Sequence, residues 1–106
     1  MWLFVSGGFV SIVAHRSQPM HVLVRARHAG HIGVLFPDLE PTVLATADYR
    51  FRVLVHRTVL QHALSDYVAN MEYDNFKASI RDEPYHEACL DVWRTMWAYG
   101  RREGSE

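Results

Sequence analysis

The groups in this chain that could do chemistry are seven histidines, one cysteine, one lysine and ten arginines. The histidines invite a metal reading. His28-x-x-His31 could present two imidazoles, and His62 and Asp66, four apart, would share a helix face. A firm site needs three or four ligands with partners behind them, and neither place fixes a third ligand. The run His86-Glu87-Ala88-Cys89-Leu90 begins like H-E-x-x-H but has leucine where the second histidine belongs. Cys89 and His86, three apart, have no oxyanion partner in view. As the sole cysteine, Cys89 can form no internal disulfide, which fits a reducing compartment, and it reads as a small buried hydrophobe. There is no P-loop, no G-x-G-x-x-G and no G-x-S-x-G. The sequence therefore assigns no catalytic residue, no metal site and no cofactor.

The basic residues offer more. Residues 1–60 carry six arginines against three acids, a balance of +3, whereas residues 61–106 carry five basic and nine acidic residues, a balance of −4. The lysine, Lys77, lies in Tyr73-Asp74-Asn75-Phe76-Lys77. Asp74 or Asn75 there can accept hydrogen bonds from the free N–H groups of a helix start. Phe76 would anchor that start in the core and Lys77 would point to water or pair with a nearby acid. The functional alternative sets Tyr73 and Lys77 beside a phosphate or carboxylate.

The elements that must position these groups follow from periodicity. Residues 2–5 and 9–14 are strand-like, with Ser6-Gly7-Gly8 between them. Gly-Gly suits the positive φ of a two-residue turn, the rival being one long strand with a glycine bulge. Residues 21–27 form the next strand. Gly30 and Gly33 leave room for only a short, weak helix over 28–36, and residues 37–48 read as a connection. Residues 49–56 alternate clearly and form a further strand. The period then changes. Leu60, Leu64, Tyr67, Val68 and Met71 recur at helical spacing behind Thr58 as N-cap. A short helix follows Asp74. The last helix starts near Pro84, runs along Tyr85, Cys89, Val92, Met96 and Tyr99, and stops at Gly100, with Trp93 and Trp97 as a second buried edge.

Strands before helices give an α+β fold: an antiparallel sheet of three to four strands with two to three C-terminal helices packed on one face. Residues 1–100 form one domain and residues 101–106 a disordered tail. The alternation divides the strands by face. Val22, Val24 and Ala26 share the apolar side with Tyr49, Phe51, Val53 and Val55. The other side then carries Arg25, Arg27, Arg50 and Arg52 with His21 and His56.

Trp2, Phe4, Gly8 and Phe9 (W-x-F-x-x-x-G-F), Asp48-Tyr49-x-x-Arg52 and Tyr73-x-Asn75-Phe76-Lys77 resemble the motifs of a family of small bacterial proteins of about this length with no assigned function. The likeness spans nearly the whole chain. It implies a bacterial source and supplies no catalytic residue.

The apolar start has no preceding positive charge and is broken by two glycines, so it reads neither as a secretory signal nor as a membrane span. The expectation is a cytoplasmic module, non-catalytic and self-associating or bound to another protein, using Arg25, Arg27, Arg50, Arg52, Tyr73 and Lys77. Arginine is favoured at protein interfaces. The alternative is a nucleic acid or phosphate ligand on the arginine-lined face, against which stands a pI near 6.6.

Overall fold

The computed structural model describes residues 1–104. Their contacts divide the chain into two compact units, Met1–Glu72 and one beginning at Tyr73.

The first unit is an α+β layer. Its five strands are β1 (Trp2–Val5), β2 (Gly8–Ala14), β3 (His21–Ala26), β4 (Thr42–Val43) and β5 (Phe51–His56). They form one antiparallel sheet in the order β1-β2-β3-β5-β4. The expected three to four strands become five because Thr42–Val43, inside the segment read as a connection, adds a short edge to β5. Two residues are too few to show an alternation.

Helix α1 (Ala29–Leu35) and helix α2 (Arg57–Ala69) belong to the same unit. Val10, Ile12, Val22, Val24, Ala26, Val53 and Val55 face Ile32, Leu35, Phe36 and Leu60 in one buried cluster. The period-two apolar positions thus define the covered side, as the burial pattern of β3 shows. Despite two glycines, α1 forms because Ile32 and Leu35 are both buried on it. Tertiary packing here outweighs propensity. The cap of α2 is His56, whose ring accepts the Thr58 N–H, so the helix starts ahead of the expected Thr58 cap.

The β1–β2 turn is Ser6-Gly7, with Gly8 already paired to Val5. No described residue has positive φ. The glycines are needed for proximity instead. A Cβ on Gly8 would sit 2.5 Å from the His31 ring, and one on Gly7 would sit 2.7 Å from Val34. Helix α1 therefore rests directly on this backbone. Gly8→Ala is expected to push the His31 ring aside and cost about 1–2 kcal/mol in a denaturant melt. An unchanged midpoint would show that the ring yields freely.

The second unit holds helix α3 (Phe76–Ser79) and helix α4 (Glu83–Gly104). Ile80, Tyr85 and Cys89 are buried. Helix α4 does not stop at Gly100. A glycine costs a helix about 1 kcal/mol but removes no hydrogen bond, and no proline follows. Residues 101–104 of the expected tail are thus helical, while residues 105–106 lie outside the described residues.

Candidate interaction face of the sheet

The strand register builds the side of the sheet opposite the buried cluster. Trp2 pairs with Ser11, Ser11 with Arg25, Arg25 with Arg52 and Arg52 with Thr42. One row crosses all five strands. Beside it, Val13, Leu23 and Leu54 form an apolar row, and His21 pairs with His56 beyond that. Phe4 pairs with Phe9 on the other flank.

Arg25 and Arg52 stand directly opposite each other, at the close side-chain spacing of a cross-strand pair. Arg25 donates from Nη2 to Ser11 Oγ at 2.8 Å, and its guanidinium lies 4.7 Å from the Tyr49 ring centre. The Nε atoms of Arg25 and Arg52 are both buried without a hydrogen-bond partner. None of the five strands contains an Asp or Glu. No strand residue therefore offers a carboxylate to either arginine.

Aromatic side chains flank the pair. Phe4 and Phe9 stack at 4.5 Å, Trp2 meets Phe9 edge-on, and Tyr49 lies 6.5 Å from Phe9. Trp2 is 71% exposed. Trp2, Phe4, Phe9 and Tyr49 therefore meet in one region of the first unit.

The other two arginines are placed differently. Arg27 follows the end of β3 and forms a bidentate ion pair with Asp48, at 3.0 and 3.1 Å. That hydrogen bonding raises the guanidinium pKa above its ordinary value, against a smaller opposing effect of burial. Arg27 also lies over Tyr49 at 4.4 Å. Its charge is thus already answered. Arg50 precedes β5 and lies over the ring of Phe51, a covered-side residue, at 5.4 Å. The structure brings together Arg25 and Arg52 with Arg27 at their edge, and leaves Arg50 outside the row.

In the second unit, Asn75 is the α3 cap, its Oδ1 accepting the Ala78 N–H at 3.1 Å. Tyr73 and Phe76 pack at 6.0 Å, and Phe76 is half-buried. Lys77 Nζ lies over the Trp93 ring at 4.7 Å, a cation–π contact in place of a water-directed side chain.

The histidines divide between structure and surface. His31 Nδ1 accepts the Phe9 N–H at 3.1 Å, tying α1 to β2. His28 packs against His31, and His21 against His56. Among the described residues, no three His, Cys, Asp or Glu side chains cluster to hold a metal ion. Burial pushes the Cys89 thiol pKa up, with a weaker opposing hydrogen bond to Tyr85. Its thiolate is therefore scarce, and thiolate is the reactive form. No described helix is long and apolar enough to cross a membrane. No protein-family model, curated protein or solved structure matches the chain.

Proposed function

We propose that the protein is a non-catalytic interaction module. Its Arg25–Arg52 sheet face binds a protein surface that offers carboxylates next to apolar side chains. The observation that carries this reading is the cross-strand pair Arg25–Arg52 with no acid on any strand, set beside the apolar row Val13, Leu23 and Leu54. The guanidinium ends of Arg25 and Arg52 could bond a partner's carboxylates, and charge-assisted bonds from Arg to carboxylate are the strong kind. The apolar row would supply the burial that gives such a contact its affinity. Trp2 and Arg are residue types enriched at interface hot spots. A nucleic acid would use the same guanidiniums and could stack on Trp2. The exposed leucine and valine beside them suit a protein better.

The test titrates a labelled peptide of alternating glutamate and leucine, beside single-stranded and duplex oligonucleotides, over a salt series. The expected result is peptide binding with a shallow salt dependence that weakens at least tenfold in Arg25→Ala/Arg52→Ala. A protein contact held mainly by apolar burial should respond less to salt than a duplex contact in which the two arginines neutralise two phosphates, whose log–log slope is roughly −2. Tighter oligonucleotide binding with that slope would replace the protein reading with the nucleic-acid one. Equal peptide binding by the double variant would remove the arginine pair from the contact.

A further inference from the structure

Two apolar features of the chain are left open. Trp93 and Trp97 on helix α4, expected as a second buried edge, are 48% and 57% exposed, and nothing in the structure shows what covers them. The outer edge of β1 is different, because its backbone dictates what can cover it.

Strand β1 ends the sheet and pairs only with β2. Met1 and Ile12 exchange both of their main-chain hydrogen bonds, at 2.7 and 2.8 Å. In an antiparallel ladder such pairs alternate with pairs that exchange none. Leu3 with Val10 and Val5 with Gly8 are therefore the next bonded pairs. The N–H and C=O groups of Trp2 and Phe4 then point away from β2, and no group outside the sheet takes them up. The next outward donor, the Ser6 N–H, is answered by the Tyr67 hydroxyl at 3.0 Å. The open stretch is thus confined to Trp2–Phe4.

A row of outward N–H and C=O groups is a template for another strand. Folded proteins ordinarily blunt such an edge with charge, proline, a bulge or extreme shortness. The opposite edge, β4, has only two residues. Strand β1 has four, Trp-Leu-Phe-Val, with no charge and no proline. Its register with β2 also runs without a bulge. An edge lacking every such protection is one that a strand covers.

We infer that β1 pairs antiparallel with β1 of a second copy of this chain, about a two-fold axis that passes by Leu3 normal to the sheet. This register sets Trp2 opposite Phe4 of the second copy, and Phe4 opposite its Trp2. Both positions bond outward, so each open N–H and C=O on either strand meets its complement. Centring the axis on Phe4 would instead set Trp2 opposite Ser6, whose N–H is already taken. Trp2 and Phe4 lie on the open face, opposite Ser11 and Phe9, so the pairing adds an aromatic cross-strand contact on each side of the axis. Leu3, packed beside the buried cluster, meets its own copy on the covered side. A partner strand must itself bring a free, uncharged edge, and β1 of a second copy brings one that matches. The antiparallel pairing keeps α1 and α2 of both copies on one side of a continuous sheet. A parallel pairing about an axis along the strands would turn the copy over and set a covered side level with an open one. The contact is small, so a dissociation constant on the order of 10 μM is expected. This inference does not rest on the sheet-face reading. It is tested by oligomeric state rather than by peptide binding, so either can fail alone.

Sedimentation equilibrium of the whole chain, up to about 0.5 mM to exceed that constant, is expected to approach twice the 12.3 kDa chain mass. Trp2→Pro is expected to stay at the single-chain mass with unchanged far-ultraviolet circular dichroism. It removes an outward donor that the chain itself does not use, at the first residue of an edge strand, where proline is tolerated. Amide hydrogen exchange of the natural chain carries the test should the proline cost the hairpin. The Trp2 and Phe4 amides are expected to slow severalfold as concentration rises through the dissociation constant, while the Leu3 amide, already bonded to β2, stays unchanged. Leu3→Cys in a Cys89→Ala chain is expected to link the two copies on mild oxidation, because Cα atoms at such a pair lie about 4.5 Å apart, within disulfide reach. A natural chain that stays at single mass would overturn the inference, as would pairing that survives Trp2→Pro or leaves the Trp2 and Phe4 amides unprotected. A Leu3→Cys chain that pairs without forming the link would overturn the register.

Discussion

Ile32→Ala is expected to lower the stability of the first unit by about 2–5 kcal/mol. Ile32 is fully buried in the cluster that joins α1 to β2, β3 and β5. Truncating it removes apolar surface from contact and leaves a cavity that a close-packed interior refills only in part. The loss is also amplified locally. Helix α1 has seven residues, two of them glycine, and depends on Ile32 and Leu35 to stay formed. Its His31 holds the Phe9 N–H, so a loosened helix also releases the β1–β2 hairpin. Denaturant melts followed by far-ultraviolet circular dichroism measure the cost. Exposed Val68 gives the reference, since Val68→Ala should stay within about 0.5 kcal/mol. A cost for Ile32→Ala no larger than that for Val68→Ala would mean that α1 is an appendage to the sheet.

The segment holding Ile32 shows where sequence reading reached its limit. Val22, Val24 and Ala26 with Phe51, Val53 and Val55 announce their face because a strand turns over at every residue and the pattern repeats. Three consecutive matches suffice. This seven-residue helix buries only Ile32 and Leu35, and Gly30 and Gly33 dilute even that signal. The glycines at the hairpin were legible as residues but not in their role. Gly8 looks like a turn residue, and what makes it necessary is the His31 ring on a helix distant in sequence. No local rule links the two.

The candidate site divides in the same way. Strand parity sets Arg25 and Arg52 on one face, and the register sets them side by side. The same parity argument applied to Arg27 and Arg50 extends past the strand ends, where alternation no longer governs direction. Arg27 is drawn to Asp48 and Arg50 to Phe51. Tyr49 reads as an apolar-side residue by parity but lies against Arg25 and Arg27 for the same reason. Trp93 and Trp97 flank the main helix stripe, and composition alone does not say whether a neighbour covers such a flank. Only their exposure does.

Arg52→Met is expected to raise stability by about 1–3 kcal/mol. Arg52 faces Arg25 directly, and like charges in that position destabilise a sheet. Its Nε is buried with no acceptor, and an unsatisfied buried donor costs about 1–3 kcal/mol. Methionine keeps an unbranched stem of similar reach along the sheet while removing both the donor and the charge. A guanidinium that served the fold would behave oppositely, because its loss would cost stability. The sign of the change thus separates a structural arginine from one held at the expense of stability for a binding role. The measurement is the denaturant midpoint and slope of the natural chain, Arg52→Met and Arg25→Met. Arg25 is the internal control, since it bonds Ser11 and lies over Tyr49, so Arg25→Met should gain less. If Arg52→Met loses more than about 1 kcal/mol at an unchanged slope, the guanidinium is structural and the sheet-face proposal loses its central residue. If it gains stability while peptide binding falls, the two results together place the cost of the arginine pair in the service of its partner.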